Sequence, residues 1–173
     1  MTPRLSIVVP ALNEDTRIGA CLRALGSLRR RGAEVIVVDG GSTDGTIAAA
    51  QPLADRVLQA PRGRASQMNA GAAQARADTL LFLHADTRLP DDALHAIETA
   101  LVDARTHWGR FDVQIAGKPT ALKTVAWLMN RRSRWSGIAT GDQAIFVRRT
   151  VFESLGGFEP IPLMEDVSFS RAA

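Results

Sequence analysis

One cysteine, Cys21, stands in the whole chain, so no internal disulfide can form. That favours a reducing compartment, because small domains in oxidising ones lean on paired cysteines. Tyrosine is absent and aromatic residues make up 5 % of the 173 positions. With so few aromatic platforms and no known nucleic-acid motif, a nucleic-acid partner is not expected. A dominant charge is missing too: 21 Lys and Arg stand against 18 Asp and Glu, a net +3. No window approaches 18 uninterrupted apolar residues, so no spanning helix is predicted. The first residues run straight into Leu5-Ser6-Ile7-Val8-Val9-Pro10 without the charged, apolar and cleavage regions of a signal peptide, and a cytoplasmic location is predicted.

What is present is the composition of a globular domain, 46 % apolar and 23 % charged. Short β-branched runs alternate with segments of helical spacing. Strands are predicted over 5–9, 34–38, 56–59 and 79–83, with helices over 16–30, 43–53, 64–76 and 91–104 between and after them. Ser42 or Thr43 is the expected cap of the second helix. Beyond 105 the order changes to an exposed strand over 109–115, a helix over 119–134 and a strand over 144–147. In the 119–134 helix, Leu122, Val125, Ala126 and Met129 form an apolar stripe read first as core. An acceptor wall or peripheral membrane contact is kept open for it, with Trp127, Trp135 and three arginines nearby. Apolar strands alternating with helices predict an α/β fold whose mainly parallel sheet is covered by helices on both faces. One domain over 1–173 is predicted. The segment from Met164 reads as the first turns of a helix cut short, so C-terminal truncation is expected.

Four segments carry chemistry. Asp39-Gly40-Gly41-Ser42-Thr43-Asp44-Gly45-Thr46 follows a strand and precedes a helix. Its carboxylate can accept hydrogen bonds from a nucleobase or ribose while the glycines let backbone approach a flat ligand; a tight turn is the plain alternative. It is neither a P-loop nor a dinucleotide fingerprint. His84-Ala85-Asp86-Thr87 also sits past an apolar strand. Carboxylate oxygen suits Mg²⁺ or Mn²⁺, and imidazole is acceptable to Mn²⁺; a turn cap is the alternative. Glu165-Asp166 opens a helix, where the dipole favours acids or where one acid serves as a general base. Asp142 and Gln143, before a strand, offer a carboxylate and an amide to a sugar or acceptor.

Taken in order, Ile7-Val8-Val9-Pro10-Ala11-Leu12-Asn13-Glu14, the Asp39 to Thr46 segment, His84-Ala85-Asp86-Thr87 and Glu165-Asp166 resemble glycosyltransferase family 2. The phrases Gly63-Arg64-Ala65-Ser66-Gln67-Met68-Asn69-Ala70-Gly71-Ala72 and Phe82-Leu83-His84-Ala85-Asp86-Thr87 resemble a bacterial subgroup associated with arsenosugar biosynthesis.

The resemblance implies a GT-A fold and inverting, metal-assisted transfer from a nucleoside-diphosphate sugar to the hydroxyl of a small-molecule or glycan acceptor. Pro10, Ala11, Asn13, Glu14, Asp39, Ser42, Arg64 and Asp86 would hold the donor. Asp86 stands where the last acid of the family's Asp-x-Asp motif stands and would hold Mn²⁺ or Mg²⁺. His84 replaces the first acid and is a second candidate ligand. Asp166 would be the catalytic base, with Asp142, Gln143 and Glu165 on the acceptor side. Two other readings remain. A nucleotidyltransferase would show a Gly-rich basic loop after the first strand, which Pro10 to Glu14 is not. A nucleotide-sugar-binding module would bind without transfer. Oligomeric state is not legible in the sequence.

Overall fold

The computed structural model describes residues 2–114, 120–140, 143–161 and 164–172. Leu5–Ala11 (β1) and Ala33–Asp39 (β2) are buried along their whole length. A strand covered on both faces has no solvent side, so its sequence is a continuous rather than an alternating apolar run. Arg56–Gln59 (β3), Thr79–Phe82 (β4), Trp108–Arg110 (β5) and Ile145–Arg148 (β6) complete one six-stranded sheet of order β3-β2-β1-β4-β6-β5. Strands β1 to β4 are parallel, and β6 runs antiparallel to both β4 and β5.

Alternate residues of each strand feed two cores. Ile7, Val9, Val35, Val37 and Leu81 pack against Asp15–Ala24 (α1), Gly26–Arg30 (α2) and Ala93–Ala100 (α5). Val8, Ile36, Val38, Leu80 and Phe82 face the opposite way, toward Arg64–Gln74 (α4), Arg149–Ser154 (α7) and Glu165–Ala172 (α8). Both faces of the sheet are therefore covered, as the alternation of elements predicts. On the second face Phe82, Phe152, Phe158 and Phe169 pack with ring centroids 4.8–5.6 Å apart. This cluster fixes α7, α8 and the turn between them against β4.

Several boundaries differ from expectation for identifiable reasons. The first strand does not stop before Pro10 but continues to Ala11, paired with β2. The Val8 carbonyl accepts the Leu83 N–H across the β4 side. By alternation, the nitrogen of residue 10 faces that same side. Proline has no donor to give there, and the β1–β4 pairing ends while β1–β2 goes on. The helix expected over 16–30 is divided into α1 and α2. At the division the Leu25 N–H is shared between the Cys21 and Leu22 carbonyls, and Gly26 follows.

Thr46–Ala50 (α3) is shorter than the helix expected over 43–53, and neither Ser42 nor Thr43 caps it. Asp44 accepts the Thr46 N–H at 3.0 Å instead. The strand expected over 109–115 is ordered as strand only at 108–110, on the sheet edge, and residue 115 lies outside the described residues. Helix α7 was not anticipated, although Val151, Phe152 and Leu155 carry its spacing.

At the amino ends of the strands Glu34 is buried but fully partnered. Its carboxylate accepts the Ser6 hydroxyl at 2.6 Å, the Arg76 N–H at 2.6 Å and Arg76 Nε at 2.8 Å. Burial works to raise this carboxyl, but those three donors outweigh it and hold the group below its ordinary value. A depressed carboxyl stabilises the fold above the unfolded value near 4.5 and loses that contribution as pH falls through the lower folded value. Arg76 is half-exposed, so the hydrogen bonds matter more than the ion pair itself. Glu34→Gln is expected to destabilise by about 1–2 kcal/mol at neutral pH and to flatten the acid limb of stability. Urea midpoints measured from pH 7 down to pH 3 check this; an unchanged acid limb would contradict it.

Candidate functional site

The sheet order places β2 on one side of β1 and β4 on the other, so the chain reverses its direction of winding between β1 and β4. Ligands of such sheets bind at the carboxyl ends of strands at this reversal. Here the parting of β1 and β4 beyond Pro10 opens a cavity of about 320 Å³. Pro10, Ala11 and Glu14 form one wall, Arg62 and Arg64 another, and His84 and Asp86 a third. Three sequence segments far apart in the chain thus meet at one place.

The first wall is held by reciprocal loop contacts. Asn13, at φ +54°, donates its N–H to Ser42 Oγ at 2.9 Å and accepts the Thr43 N–H on its side-chain oxygen at 2.9 Å. The Glu14 N–H reaches Thr46 Oγ1 at 2.7 Å. Asp39 lies beneath this wall, 0 % exposed, and does not line the cavity. Its Oδ2 accepts the N–H groups of Gly41 and Ser42, both at 2.9 Å, which sets the turn. Its Oδ1 is buried with no hydrogen-bond partner among the described residues.

Gln67 and Asn69 lie inside the phrase 63–72, and nothing in the sequence pattern assigns either a role. Gln67 is buried and donates through Nε2 to the carbonyls of Ala11 and Val38, both at 2.8 Å. It ties the carboxyl ends of β1 and β2 together at the cavity. A Cβ on Gly40 would sit 3.0 Å from the Gln67 amide, which explains the small residue there. Asn69 grips the backbone of Phe158 twice, at 2.8 and 2.9 Å, and so fixes the turn leading toward α8. The sequence signal for both is polarity at α4 positions that the apolar spacing turns inward.

The cavity also receives the amino end of α4, whose N-cap Gly63 has φ +137° and supplies no side-chain cap. Exposed N–H groups and the helix dipole favour an anion there, and Arg62 and Arg64 on the same wall add positive charge. Asp86 is exposed and borders both this cavity and a second one of about 550 Å³ walled by Leu89, Phe111, Asp112 and Val113. Its Oδ1 accepts a hydrogen bond from the Thr87 hydroxyl at 3.3 Å. No cluster of three or more His, Cys, Asp or Glu suited to a metal occurs among the described residues. Asp86 with His84 on the same wall fits instead an ion that keeps waters and takes further oxygens from a phosphate ligand.

Gln143, Glu165 and Asp166 do not line this cavity. Glu165 and Asp166 open α8, 1 % and 6 % exposed, and Glu165 Oε1 lacks a partner among the described residues. Gln143 is buried, its Oε1 accepting the Thr140 N–H at 3.1 Å and its carbonyl accepting the Phe111 N–H at 2.7 Å. Asp142 lies outside the described residues. Cys21 is buried, with its thiol pushed up to about 11 chiefly by burial, so it offers no nucleophile.

A family model for glycosyl transferase family 2 matches residues 6–151. The chain belongs to this family. The "Probable glycosyltransferase YdaM" of Bacillus subtilis is 27 % identical to it, over 97 % of this chain and 46 % of that protein. A PGL/p-HBAD biosynthesis glycosyltransferase of Mycobacterium bovis is 30 % identical, over 90 % of this chain and 63 % of that one. Among solved structures, the mannosyltransferase PcManGT from Pyrobaculum calidifontis, in complex with GDP-Man and Mn²⁺, aligns with a TM-score of 0.75 at 27 % identity, over 98 % of this chain and 51 % of its own. TarS of S. aureus, in complex with UDP-GlcNAc, aligns with a TM-score of 0.76 at 19 % identity, over 98 % and 53 %, and speaks for the fold alone. The fold is accordingly GT-A-like, as the family resemblance implies. The chain spans about half to under two thirds of the length of these relatives.

Proposed function

We propose that this chain is the catalytic domain of a glycosyltransferase that moves a sugar from a nucleoside-diphosphate sugar to an acceptor hydroxyl with inversion. The observation that carries the reading is the meeting of the Pro10–Glu14 wall, the α4 amino end with Arg62 and Arg64, and Asp86 around one cavity. In this reading Pro10, Ala11, Asn13, Glu14, Asp39 and Ser42 hold the nucleoside, Asp39 from beneath the wall, where its buried Oδ1 has no hydrogen-bond partner among the described residues. Arg64 and the α4 amino end hold the diphosphate. The complex of the P. calidifontis mannosyltransferase with GDP-Man and Mn²⁺ supports a divalent ion here, held by Asp86 with His84 beside it. When bound, that ion supplies neutralising charge for a departing diphosphate.

The acceptor oxygen forms a bond to the anomeric carbon as the carbon–oxygen bond to the diphosphate breaks. The bonding pair leaves with the diphosphate, and Asp166 takes the hydroxyl proton. One displacement inverts the anomeric centre. Asp142, Gln143 and Glu165 belong on the acceptor side. The phrases 63–72 and 82–87 are what support the subgroup associated with arsenosugar biosynthesis. In this proposal residues 1–173 form one domain that works in the cytoplasm.

Calorimetric titration with a panel of nucleoside diphosphates and nucleotide sugars, with and without Mn²⁺, tests the donor site. One nucleotide is expected to bind selectively, about tenfold or more tightly with the metal, and Asp86→Ala is expected to remove the metal effect. Silence toward every nucleotide in a chain shown to be folded would sink the reading. Selective binding with no transfer by the full-length protein would favour the binding module instead.

A further inference from the structure

Thr120–Ser136 (α6) carries Lys123, Arg131, Arg132 and Arg134 and no acidic residue over 17 positions. Its inward side is set by buried Ala126 and Ser133, with Leu122, Met129 and Asn130 half-buried beside them. Only part of the apolar stripe read from the sequence is therefore core. Val125 is 45 % exposed, and at about 100° per residue the opposite face carries Trp127 (55 %), Leu128 (54 %), Arg131 and Trp135 (81 %). The Arg131 guanidinium stands 5.1 Å from the ring centroids of both Trp127 and Trp135. That ladder at i, i+4 and i+8 holds both indoles together on the outward face. Single exposed apolar residues are ordinary, whereas a contiguous group of this kind marks an interaction surface.

We propose that this face of α6 docks on an anionic lipid bilayer. Indoles favour the boundary between hydrocarbon and headgroups, where the ring is buried and the N–H stays hydrated. Leu128 adds apolar depth, and Arg131 between the two indoles gives this face a cation for lipid phosphates on a helix whose sequence has no acid to oppose it. A purely electrostatic partner would not account for two indoles and a leucine in the centre of the face. The inner side of α6 is tied to the cavity wall beyond Asp86. Asn130 exchanges two hydrogen bonds with the Val113 backbone, at 2.8 and 3.0 Å, and Arg134 pairs with Asp112. Docking would therefore bring the second cavity, which Asp112 and Val113 line, close to the membrane plane. The proposal stands without the donor reading, because vesicle binding needs no nucleotide.

The 173-residue chain should sediment with vesicles of equal parts phosphatidylglycerol and phosphatidylcholine and not with pure phosphatidylcholine, and rising salt should weaken the binding. The combined variant Leu128→Ser, Trp135→Ser should lower the partition coefficient by about tenfold or more, with an unchanged thermal unfolding curve showing that it folds. If the variant fails to fold, quenching of the tryptophan fluorescence of the unaltered chain by brominated phosphatidylglycerol decides: quenching supports docking and its absence overturns it. Equal binding to both vesicle types, or a folded variant that binds like the parent, would also overturn it. So would a chain that ignores vesicles but forms a dimer dispersed by the variant, which assigns the face to a second copy.

Discussion

Asp166→Asn should lower sugar transfer by the full-length protein roughly 10²- to 10⁴-fold while leaving nucleotide affinity within about twofold. Asparagine keeps the size of the side chain but cannot take a proton from an acceptor hydroxyl. Asp166 lies in the first turn of α8, where the helix dipole favours negative charge, and it is 6 % exposed. Its position depends on packing rather than on the cavity between β1 and β4: Phe169, on the same helix, sits in the cluster with Phe152 and Phe158. Binding and chemistry should therefore separate. Single-turnover measurements with saturating donor and metal read the chemical step directly. Transfer within a fewfold of the parent under those conditions would remove Asp166 from the role of base, while a parallel loss of nucleotide affinity would point to a structural role instead.

Gly71→Val should destabilise the fold by more than about 3 kcal/mol, the largest single effect expected away from the chemistry. Glycine inside a helix ordinarily lowers stability by roughly 0.5–1 kcal/mol relative to alanine, so relieving it usually helps. Helix α4 crosses the sheet so closely at Gly71 that an added Cβ would stand 2.4 Å from Val8 Cγ1 and 3.0 Å from Val38 Cγ2. Both valines belong to central strands that cannot give way without disturbing the sheet, so the clash wins over the propensity gain. Gly19 in α1 is the control, since a Cβ there meets only the flexible Arg23 side chain at 3.3 Å. Gly19→Ala should be neutral or stabilising by up to about 1 kcal/mol. Urea unfolding of both variants checks the pair; an unaltered midpoint for Gly71→Val would show that α4 stands farther from the sheet.

The cavity at the carboxyl ends of β1 and β4 rests on the same close approach, because α4 carries its own amino end, Arg64 and Gln67 into place. Three of its walls were legible as motifs: Pro10 to Glu14, the glycine-bearing phrase from Gly63, and His84 to Asp86. Each motif follows or opens an apolar element, and parallel strands deliver such loops to one edge. Gln67 and Asn69 were not legible as positioning residues, because their partners are backbone carbonyls and amides of segments 29 to 89 positions away. Chemistry of that kind leaves no local pattern beyond an inward-facing amide.

The sequence by itself determined that this is a mainly parallel α/β chain of the glycosyltransferase kind. Fully buried strands read as apolar runs, and the motif order is a one-dimensional property. The end of the β1–β4 pairing was also implicit in Pro10, which lacks a donor wherever it stands. Tertiary structure alone decided which side of α6 is core. The spacing of Leu122, Val125, Ala126 and Met129 fits a buried stripe, yet burial follows from what the sheet edge and residues 112–113 offer as partners, and that places Trp127, Leu128 and Trp135 outside. It likewise decided that Asp39 braces a turn beneath the cavity wall, because two N–H groups of the following residues close on its carboxylate before any ligand arrives.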